Sequence, residues 1–323
     1  MRYLYAFALA APMILAPNMS HAQEKDFPTR PIEVVVNWGP GGGADIFARI
    51  MARQMESALN VSMPVVNVTG SAGNAGLARV ASSTPDGYTI GTLTGVTVSG
   101  WAAGMGRLNV DDLEYIILPQ LTPSMMFVSK DSPIKSYKEL LDQAKANPEK
   151  VRIATVGYGS ADDITIRYLE REGFPMINVP FSKPAQRYSA PLGGHVEALY
   201  EEPGDVVQYL DSGQLVPIVV FGKERHPDFP DVPASGEFGH DIGLPNWRAL
   251  VAPPGTPEDR LRTLHEAAMK VGESKAWKDF CAKTFSCYES AKPDQIKAFI
   301  REQYEENRQA MQEYGMIGDK AKR

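Results

Sequence analysis

Short apolar runs alternate with longer helical stripes along this chain, and the first such unit is the most informative. Residues 34–36 are three valines, which fit a buried strand, and the glycines at 41–43 follow closely. Apolar residues then recur every four positions, at Phe47, Met51, Met55 and Leu59. This spacing predicts one apolar face of a helix, with Asp45 as its N-cap. The unit is therefore a strand, a glycine-rich turn and a helix.

This glycine-rich turn has the features of an anion site. Glycine lets the backbone come close to a ligand, and the unpaired amides of a helix start carry roughly half a positive charge. The alternative is a tight turn that binds nothing. A nucleotide is not expected, because Ala44-Asp45 follows the glycines where a P-loop has Lys and Ser or Thr. A dinucleotide fingerprint would also need a glycine where Ile46 stands.

The alternation of strands and helices continues through most of the chain. Further strands are predicted at 64–68, 88–93, 125–128, 151–156, 177–181, 196–200 and 215–221. Helices are predicted at 77–82, 137–146, 161–172, 185–192 and 206–210, and glycine-rich turns recur at 70–76 and 157–160. This order is typical of α/β domains with a mainly parallel sheet. Ligands of such folds bind beyond the carboxyl ends of the strands, where the glycine turns lie.

The last part of the chain holds one predicted strand, at 246–251, and three predicted helices, at 257–272, 275–282 and 293–315. These elements are too few to form a domain easily, so we expect them to return and complete the first one. The chain would then cross between two lobes twice, near 120–126 and near 244–250. Two crossings make a hinge, and the glycine turns of both lobes would face each other across a cleft.

The N-terminus has the pattern of an export signal. Arg2 precedes a mostly apolar run from Leu4 to about Ala16, and Ser20-His21-Ala22 fits a cleavage site. We therefore predict a signal peptide at 1–22. No later apolar run is long enough to span a bilayer, so we expect the mature chain to be soluble and exported.

Charge and cysteine content narrow the classes of partner. The formal net charge is -6, and no basic block is longer than the last four residues, so a nucleic acid is not expected. Cys281 and Cys287 are the only cysteines and would meet an oxidising compartment. They can form a disulfide only if the helix around Cys281 ends before Cys287, and two free thiols are the alternative. The histidines lack ligand spacing, so no metal is expected.

Six short motifs, taken in their order and spacing, resemble the Bug-type periplasmic solute-binding proteins, the receptors of tripartite tricarboxylate transporters. They are Phe27-Pro28-Thr29-Arg30-Pro31-Ile32, Gly39-Pro40-Gly41-Gly42-Gly43-Ala44-Asp45, Thr84-Pro85-Asp86-Gly87-Tyr88-Thr89, Leu192-Gly193-Gly194-His195-Val196-Glu197, Phe229-Pro230-Asp231-Val232-Pro233 and Ala252-Pro253-Pro254-Gly255-Thr256-Pro257. The resemblance covers nearly the whole mature chain.

The resemblance implies an α/β, two-lobed periplasmic binding protein of type II-like fold, with two hinge crossings and a ligand cleft between the lobes. The first lobe would comprise 23–124 and 245–323, and the second lobe 125–244. Such a protein closes around a small organic acid and delivers it to membrane permease subunits. We expect a periplasmic monomer without a cofactor, whose ligand is a mono- or dicarboxylate that is aromatic or bears an amine.

In this family the ligand carboxylate is held by the first loop and by the glycine-serine turn of the second lobe. The residues expected at the ligand from these two loops are Trp38, Gly39, Gly41, Gly42, Gly43, Asp45, Tyr158, Gly159, Ser160, Asp162 and Asp163. Further candidates for the cleft wall, each of which follows the end of a predicted strand, are Ser71, Asn74, Thr94, Phe181, Ser182 and Glu201. The family often has Pro-Phe where this chain has Asn37-Trp38, so the indole lies beside the ligand or packs as a lid on the core.

Two aspartates also depart from the family pattern, because Asp162 and Asp163 stand where small hydroxyl residues are common. They either cap the following helix or point into the cleft. An inward carboxylate would repel a second ligand carboxylate and favour an acid that bears an amine, a hydroxyl or a ring nitrogen. A tricarboxylate such as citrate is then not expected.

Two other functions compete with transport. An exported hydrolase would need a nucleophile and a base, but the chain has no Gly-x-Ser-x-Gly elbow and no histidine in a glycine turn. A sensory receptor that docks on a histidine kinase would use the same cleft, and the residues do not separate it from a transport receptor.

Overall fold

The computed structural model describes residues 27–148, 150–287 and 292–318. The signal peptide predicted at 1–22 lies outside these residues. No helix in the described ranges is both long and apolar enough to cross a membrane.

In the described part of the chain, ten strands form two five-stranded sheets. In chain order the strands are Glu33–Val36 (β1), Val65–Asn67 (β2), Thr89–Thr94 (β3), Glu114–Thr122 (β4), Met125–Ser129 (β5), Arg152–Thr155 (β6), Ile177–Pro180 (β7), Ala198–Glu201 (β8), Leu215–Val220 (β9) and Asn246–Ala252 (β10). The first sheet has the order β2-β1-β3-β10-β4, and the second has the order β7-β6-β8-β5-β9.

Helices cover both sheets. They are Gly43–Leu59 (α1), Asn74–Ala81 (α2), Gly95–Ala102 (α3), Tyr137–Ala146 (α4), Ala161–Arg171 (α5), Pro184–Ser189 (α6), Val207–Asp211 (α7), Glu258–Glu273 (α8), Lys275–Thr284 (α9) and Pro293–Glu313 (α10). Each sheet carries buried apolar side chains on both of its faces, as expected for a sheet between two helical layers.

The two sheets share one plan. In each, three neighbouring strands run parallel, and the fourth strand runs antiparallel to both of its neighbours. That antiparallel strand is β10 in the first sheet and β5 in the second, so four of the five strands in each sheet run in one direction, as expected for mainly parallel sheets. Each antiparallel strand directly follows a crossing of the chain from the other sheet, so its direction is set by the crossing. The two-lobed α/β fold itself is confirmed.

The chain leaves the first sheet after Thr122 and returns to it at Asn246. The lobe boundaries after residues 124 and 244 remain a prediction. The C-terminal helices complete the first sheet, since α8 packs on β4 and α10 packs on α3 and β4. The end of α10 also reaches the second lobe, where Met311 joins its buried core and Arg171 lies over the ring of Tyr314.

The two lobes also repeat a local motif at their glycine turns. In the first lobe, the Asp45 carboxylate accepts hydrogen bonds from the Gly41 amide, at 3.0 Å, and from Asn67. In the second lobe, the Asp163 carboxylate accepts from the Gly159 amide, at 3.0 Å, and from Asn178. Each aspartate therefore ties its turn to the next strand of its sheet.

The prediction of Asp45 as an N-cap was wrong. Helix α1 begins three residues earlier than predicted, at Gly43 with Gly42 as its N-cap, and Asp45 lies inside the first turn. The carboxylate reaches back to the turn instead of capping the helix. This leaves the helix start open toward the other lobe.

A disulfide joins Cys281 to Cys287, with 5.2 Å between the two Cα atoms. The condition for this bond is met because α9 ends at Thr284 and Phe285 adopts a left-handed conformation that turns the chain back. The loop it closes meets the second lobe, where the rings of Phe285 and Phe229 lie 4.8 Å apart.

Breaking this disulfide should cost stability. Closing a loop of this length lowers the entropy of the unfolded chain by an amount worth about 2 kcal/mol. We expect Cys281→Ser with Cys287→Ser to lower the free energy of unfolding in urea by about that amount. Addition of a reductant should lower it in the wild type and leave the double variant unchanged; equal stability of the two proteins would refute the estimate.

Candidate functional site

A cavity of about 70 Å³ lies between the two sheets and is lined by both lobes. The first lobe contributes the loop before α1 and the start of α3, and the second lobe contributes the starts of α5 and α6 and the end of β8. Residues 244–248, where the chain returns to the first sheet, and Gln303 and Asn307 of α10 complete the wall. The cavity therefore lies where the predicted cleft and hinge meet.

The first-lobe wall is built from the predicted loop. Trp38, Gly39, Gly42 and Gly43 line the cavity together with Thr94. The Trp38 indole N–H donates to the Thr94 hydroxyl at 3.1 Å. This bond holds the ring in the cavity wall, where it also packs against the core of the first lobe. That the indole lies beside a ligand remains a prediction. Gly43 is the first residue of α1, which brings an open helix start to the cavity.

The second lobe presses closely on these glycines. A Cβ at Gly42 would lie 3.0 Å from Pro184 of α6. A Cβ at Gly43 would collide with the Asp205 carboxylate and with the Arg248 guanidinium. The backbone conformation of both glycines is open to any residue. Glycine is therefore required at these positions only because there is no space for a side chain. The structure is thus a closed arrangement in which the lobes touch.

The two aspartates of α5 have different surroundings. Asp162 lines the cavity and is buried, and its carboxylate accepts from the Val156 amide at 2.6 Å. Asp163 binds Gly159 and Asn178 and does not line the cavity. Ser160 supplies the side-chain cap of α5. Asp162 is therefore the member of the pair that faces the cleft.

Two buried arginines, which the sequence analysis did not single out, also line the cavity. Arg187 of α6 donates to Glu201 at 2.6 Å, and Arg248 of β10 donates to Asp205 at 2.6 Å. The second pair joins the lobes. Glu202 lies 3.8 Å from Arg248 and accepts a hydrogen bond from Ser124.

Burial dominates the titration of these carboxyls. It raises the pKa of Asp162 and of Asp205 to about 6 each, and the pKa of Glu201 to about 7. The guanidinium groups of Arg187 and Arg248 act in the opposite direction but do not outweigh the loss of water. Clusters of shifted carboxyls in a cleft are typical of functional sites.

The carboxylates of Glu201, Glu202 and Asp205 lie within 4.8 Å of one another, which is a spacing that a metal ion could bridge. However, Glu201 and Asp205 each bind an arginine at 2.6 Å. A divalent cation would have to sit beside two guanidinium charges, which disfavours it electrostatically. The cluster is better described as an ion-pair network than as a metal centre.

The structure brings about half of the predicted ligand residues together. Those that line the cavity are Trp38, Gly39, Gly42, Gly43, Thr94, Asp162, Ser182 and Glu201. Those placed outside the lining are Gly41, Asp45, Ser71, Asn74, Tyr158, Gly159, Ser160, Asp163 and Phe181. Gly41, Asp45, Gly159, Ser160 and Asp163 support the two turns from behind.

The other predicted ligand residues that lie outside the cavity lining make contacts elsewhere. Asn74 accepts from the Trp101 indole at 2.7 Å and donates to the Ser71 carbonyl. Tyr158 is 55% exposed, and its hydroxyl donates to the Met316 carbonyl at 2.7 Å. The ring of Phe181 packs against the core of the second lobe.

Stability should depend on pH through the cavity carboxyls. Because the pKa of Asp162, Glu201 and Asp205 is higher in the folded chain than in the unfolded chain, the folded state holds more protons between about pH 4 and 7. Stability is thus lost as the pH rises through this range, by on the order of 2 kcal/mol for each carboxyl. The pKa of Asp45 and of Glu197 is lowered in the folded chain, so the titration of these carboxyls changes stability only at pH values below this range.

Chemical denaturation at pH 4.5 and pH 7.5 checks this prediction. We expect the wild type to be less stable at pH 7.5, and Asp162→Asn to lose less stability across the same interval because it has one titrating group fewer. A rise in the free energy of unfolding toward pH 7.5 would contradict the assignment.

The fold and the cleft define a two-lobed solute-binding protein. The model of the tripartite tricarboxylate transporter family receptor, TctC, matches residues 47–316. A UPF0065 protein from the gbd 5' region of Cupriavidus necator is 31% identical over 278 residues, which is 85% of each chain. Protein BugT of Bordetella pertussis is 29% identical over 287 residues, covering 86% of this chain and 87% of its own.

Solved structures have the same fold. The periplasmic binding protein BugD has a TM-score of 0.80 and 25% identity, over 90% of this chain and 99% of its own. MatC from Rhodopseudomonas palustris with bound malate has a TM-score of 0.78 and 24% identity, over 88% of this chain and 99% of its own. An R. palustris protein with adipate has a TM-score of 0.83 and 21% identity, over 90% of this chain and 99% of its own.

The chain belongs to the TctC family of tripartite tricarboxylate transporter receptors, also represented by the Bug proteins. This confirms the resemblance found in the sequence. The family consists of periplasmic solute-binding receptors that work with membrane transporter subunits, and it is not a family of enzymes. A hydrolase is thereby excluded.

Proposed function

We propose that this protein captures a small carboxylate-bearing compound in the cleft between its lobes and presents it to membrane permease subunits. In this proposal the chain acts as a monomer in the periplasm after removal of residues 1–22. The observation that carries the proposal is the convergence of the first glycine turn and of two helix starts, one from each lobe, on a cavity that is also lined by buried arginines.

Helix starts suit a carboxylate for a simple physical reason. Gly43 and Ala44 begin α1, Ala161 and Asp162 begin α5, and all four line the cavity. An anion at a helix start gains about 0.3 to 2 kcal/mol, depending on its burial. The α1 start is the better anion site, because Asp45 in its first turn does not line the cavity and binds the Gly41 amide, whereas Asp162 in the first turn of α5 lines the cavity.

Arg248 adds a second element to this site. Its side chain is buried, and its Nε–H has no hydrogen-bond partner among the described residues. Leaving such a donor unpaired costs about 1–3 kcal/mol. A ligand carboxylate between Arg248 and the start of α1, which both belong to the first lobe, would satisfy the donor. Contacts of the same ligand with Asp162 or Ser182 of the second lobe would then favour the closed arrangement.

A thermal-shift screen of the mature chain tests the proposal. The panel should contain mono-, di- and tricarboxylates, amino acids and the amides of those acids, with malate and adipate included because two structurally similar proteins bind them. A ligand at one hundred times its dissociation constant adds about 2.7 kcal/mol to stability. We expect at least one acid to raise the melting temperature and its amide to have no effect. Stabilisation by neutral amides but by no acid would contradict carboxylate binding.

A further inference from the structure

The charge of the cavity is unusual for a site that binds an acid. Its lining contains four carboxyl side chains, those of Asp162, Glu201, Glu202 and Asp205, and all four are buried or nearly so. Two guanidinium groups, Arg187 and Arg248, face them and pair with Glu201 and Asp205. Asp162 and Glu202 are left with neutral hydrogen-bond donors at close range, so the lining carries more negative than positive groups.

Unpartnered polar atoms give an independent indication of what the ligand offers. The Ser99 hydroxyl, the Tyr188 hydroxyl and the Asn307 side-chain oxygen line the cavity, are buried, and have no hydrogen-bond partner among the described residues. The two hydroxyls accept as well as donate, and the amide oxygen only accepts. A buried acceptor without a partner is costly, so these atoms fit a ligand with N–H groups.

We propose that the ligand carries a protonated nitrogen together with its carboxylate, so that it enters this cleft as a zwitterion. The proposal rests on the proposed function, because it adds a cation subsite to the same carboxylate-binding cleft. The carboxylate would lie at Arg248 and the start of α1. The ammonium group would lie toward Asp162 and Glu202, with Asn307, Ser99 and Tyr188 as acceptors.

Two other ligand classes fit the lining less well. A dicarboxylate would add a second negative group to a cavity that already has two carboxyls without a guanidinium partner. No positive group would then offset the free-energy cost of removing this carboxylate from water. A diamine would bring two positive charges beside Arg187 and Arg248 and would leave the Arg248 Nε–H unsatisfied. A zwitterion satisfies both the unpaired donor and the unpaired acceptors.

Compounds of matched length separate these classes. We suggest 4-aminobutyrate with succinate and 1,4-diaminobutane, 6-aminohexanoate with adipate and 1,6-diaminohexane, and aspartate with malate, each titrated calorimetrically into the mature chain. In every set that binds, we expect the amino acid to bind at least tenfold more tightly than succinate, adipate or malate, the compound of its set in which another group replaces the ammonium.

Asp162→Asn tests the cation subsite directly. The asparagine oxygen can still accept from the Val156 amide, so the helix start is preserved while the charge is lost. Asp142→Asn is the matched control, because Asp142 is 61% exposed in a surface pair with Lys138 on the same lobe. We expect Asp162→Asn to weaken binding of the amino acid at least tenfold and to leave a dicarboxylate unchanged or tighter. The control should change neither.

The outcomes distinguish this inference from the proposed function. Tighter binding of succinate, adipate or malate than of their amino partners would overturn the inference and leave carboxylate capture intact. An equal loss for both classes in Asp162→Asn would also overturn it. Binding of the diamines alone, or of none of these compounds and no other acid, would overturn both proposals.

Discussion

Gly43→Ala is expected to weaken ligand binding by about 10- to 100-fold while leaving each lobe folded. The added methyl group would collide with Asp205 of the second lobe when the lobes meet, and with the Arg248 guanidinium that Asp205 holds in place, whereas alanine suits the helical backbone at this position. Overpacking at such a contact costs about 1–3 kcal/mol, and an open arrangement of the lobes avoids that cost. Calorimetric titration measures the affinity, and small-angle X-ray scattering reports whether the lobes still close when ligand is added.

Gly272→Ala is the control for this change. Gly272 also lies in a helix, α8, but a Cβ there would meet nothing within 4 Å. We expect this variant to bind like the wild type and to be slightly more stable, since alanine is the better helix former. Wild-type affinity in Gly43→Ala would show that the lobes do not close on this glycine.

Arg248→Met should destabilise the protein by about 3–5 kcal/mol. Arg248 is 5% exposed and holds Asp205 at 2.6 Å and Glu202 at 3.8 Å, so its loss leaves buried carboxyls without a positive partner. Urea unfolding at pH 7.5 measures the effect. The loss should be smaller at pH 4.5, where Asp205 can take up a proton.

Removing the partner as well gives a sharper test. The double variant Arg248→Met with Asp205→Leu should recover much of the lost stability, because an apolar pair of similar size replaces the ion pair. Arg167→Met breaks an exposed pair with Glu170 and should change stability by no more than about 0.5 kcal/mol. A similar small effect for Arg248→Met would show that Asp205 does not depend on it.

The local pattern of the chain was enough to predict the glycine turns and most of the helices and strands. Valines at 34–36 and the stripe that begins at Phe47 gave β1 and α1, and the same reasoning gave β6 and α5 in the second lobe. These elements have strong periodicity and are bounded by glycines. The first loop was predicted as cavity wall for the same reason.

Helix α3 and strand β4 were not predicted. Helix α3 reads Gly-Val-Thr-Val-Ser-Gly-Trp-Ala, which is rich in β-branched residues and glycine and has little helical preference of its own. It forms because the Thr94 side chain caps it and because most of its residues are buried. Strand β4 is an edge strand of the first sheet and pairs there with β10, which is distant in sequence. Tertiary packing decides both elements.

The ion pairs of the cavity could not be read from the sequence. Glu201 meets an arginine 14 positions away, and Asp205 meets one 43 positions away in the other lobe. One signal was available, because Arg248 interrupts the apolar residues 247–252 of strand β10. A charged residue in a buried strand must be paired, which indicates an acidic partner but does not identify it.

A crystal structure of the mature chain with the most stabilising acid of the screen tests the central claim most directly. We expect the ligand between the lobes, with its carboxylate within hydrogen-bonding distance of Arg248 and of the first amides of α1. A ligand bound elsewhere on the surface, with the Arg248–Asp205 pair unchanged, would contradict the account.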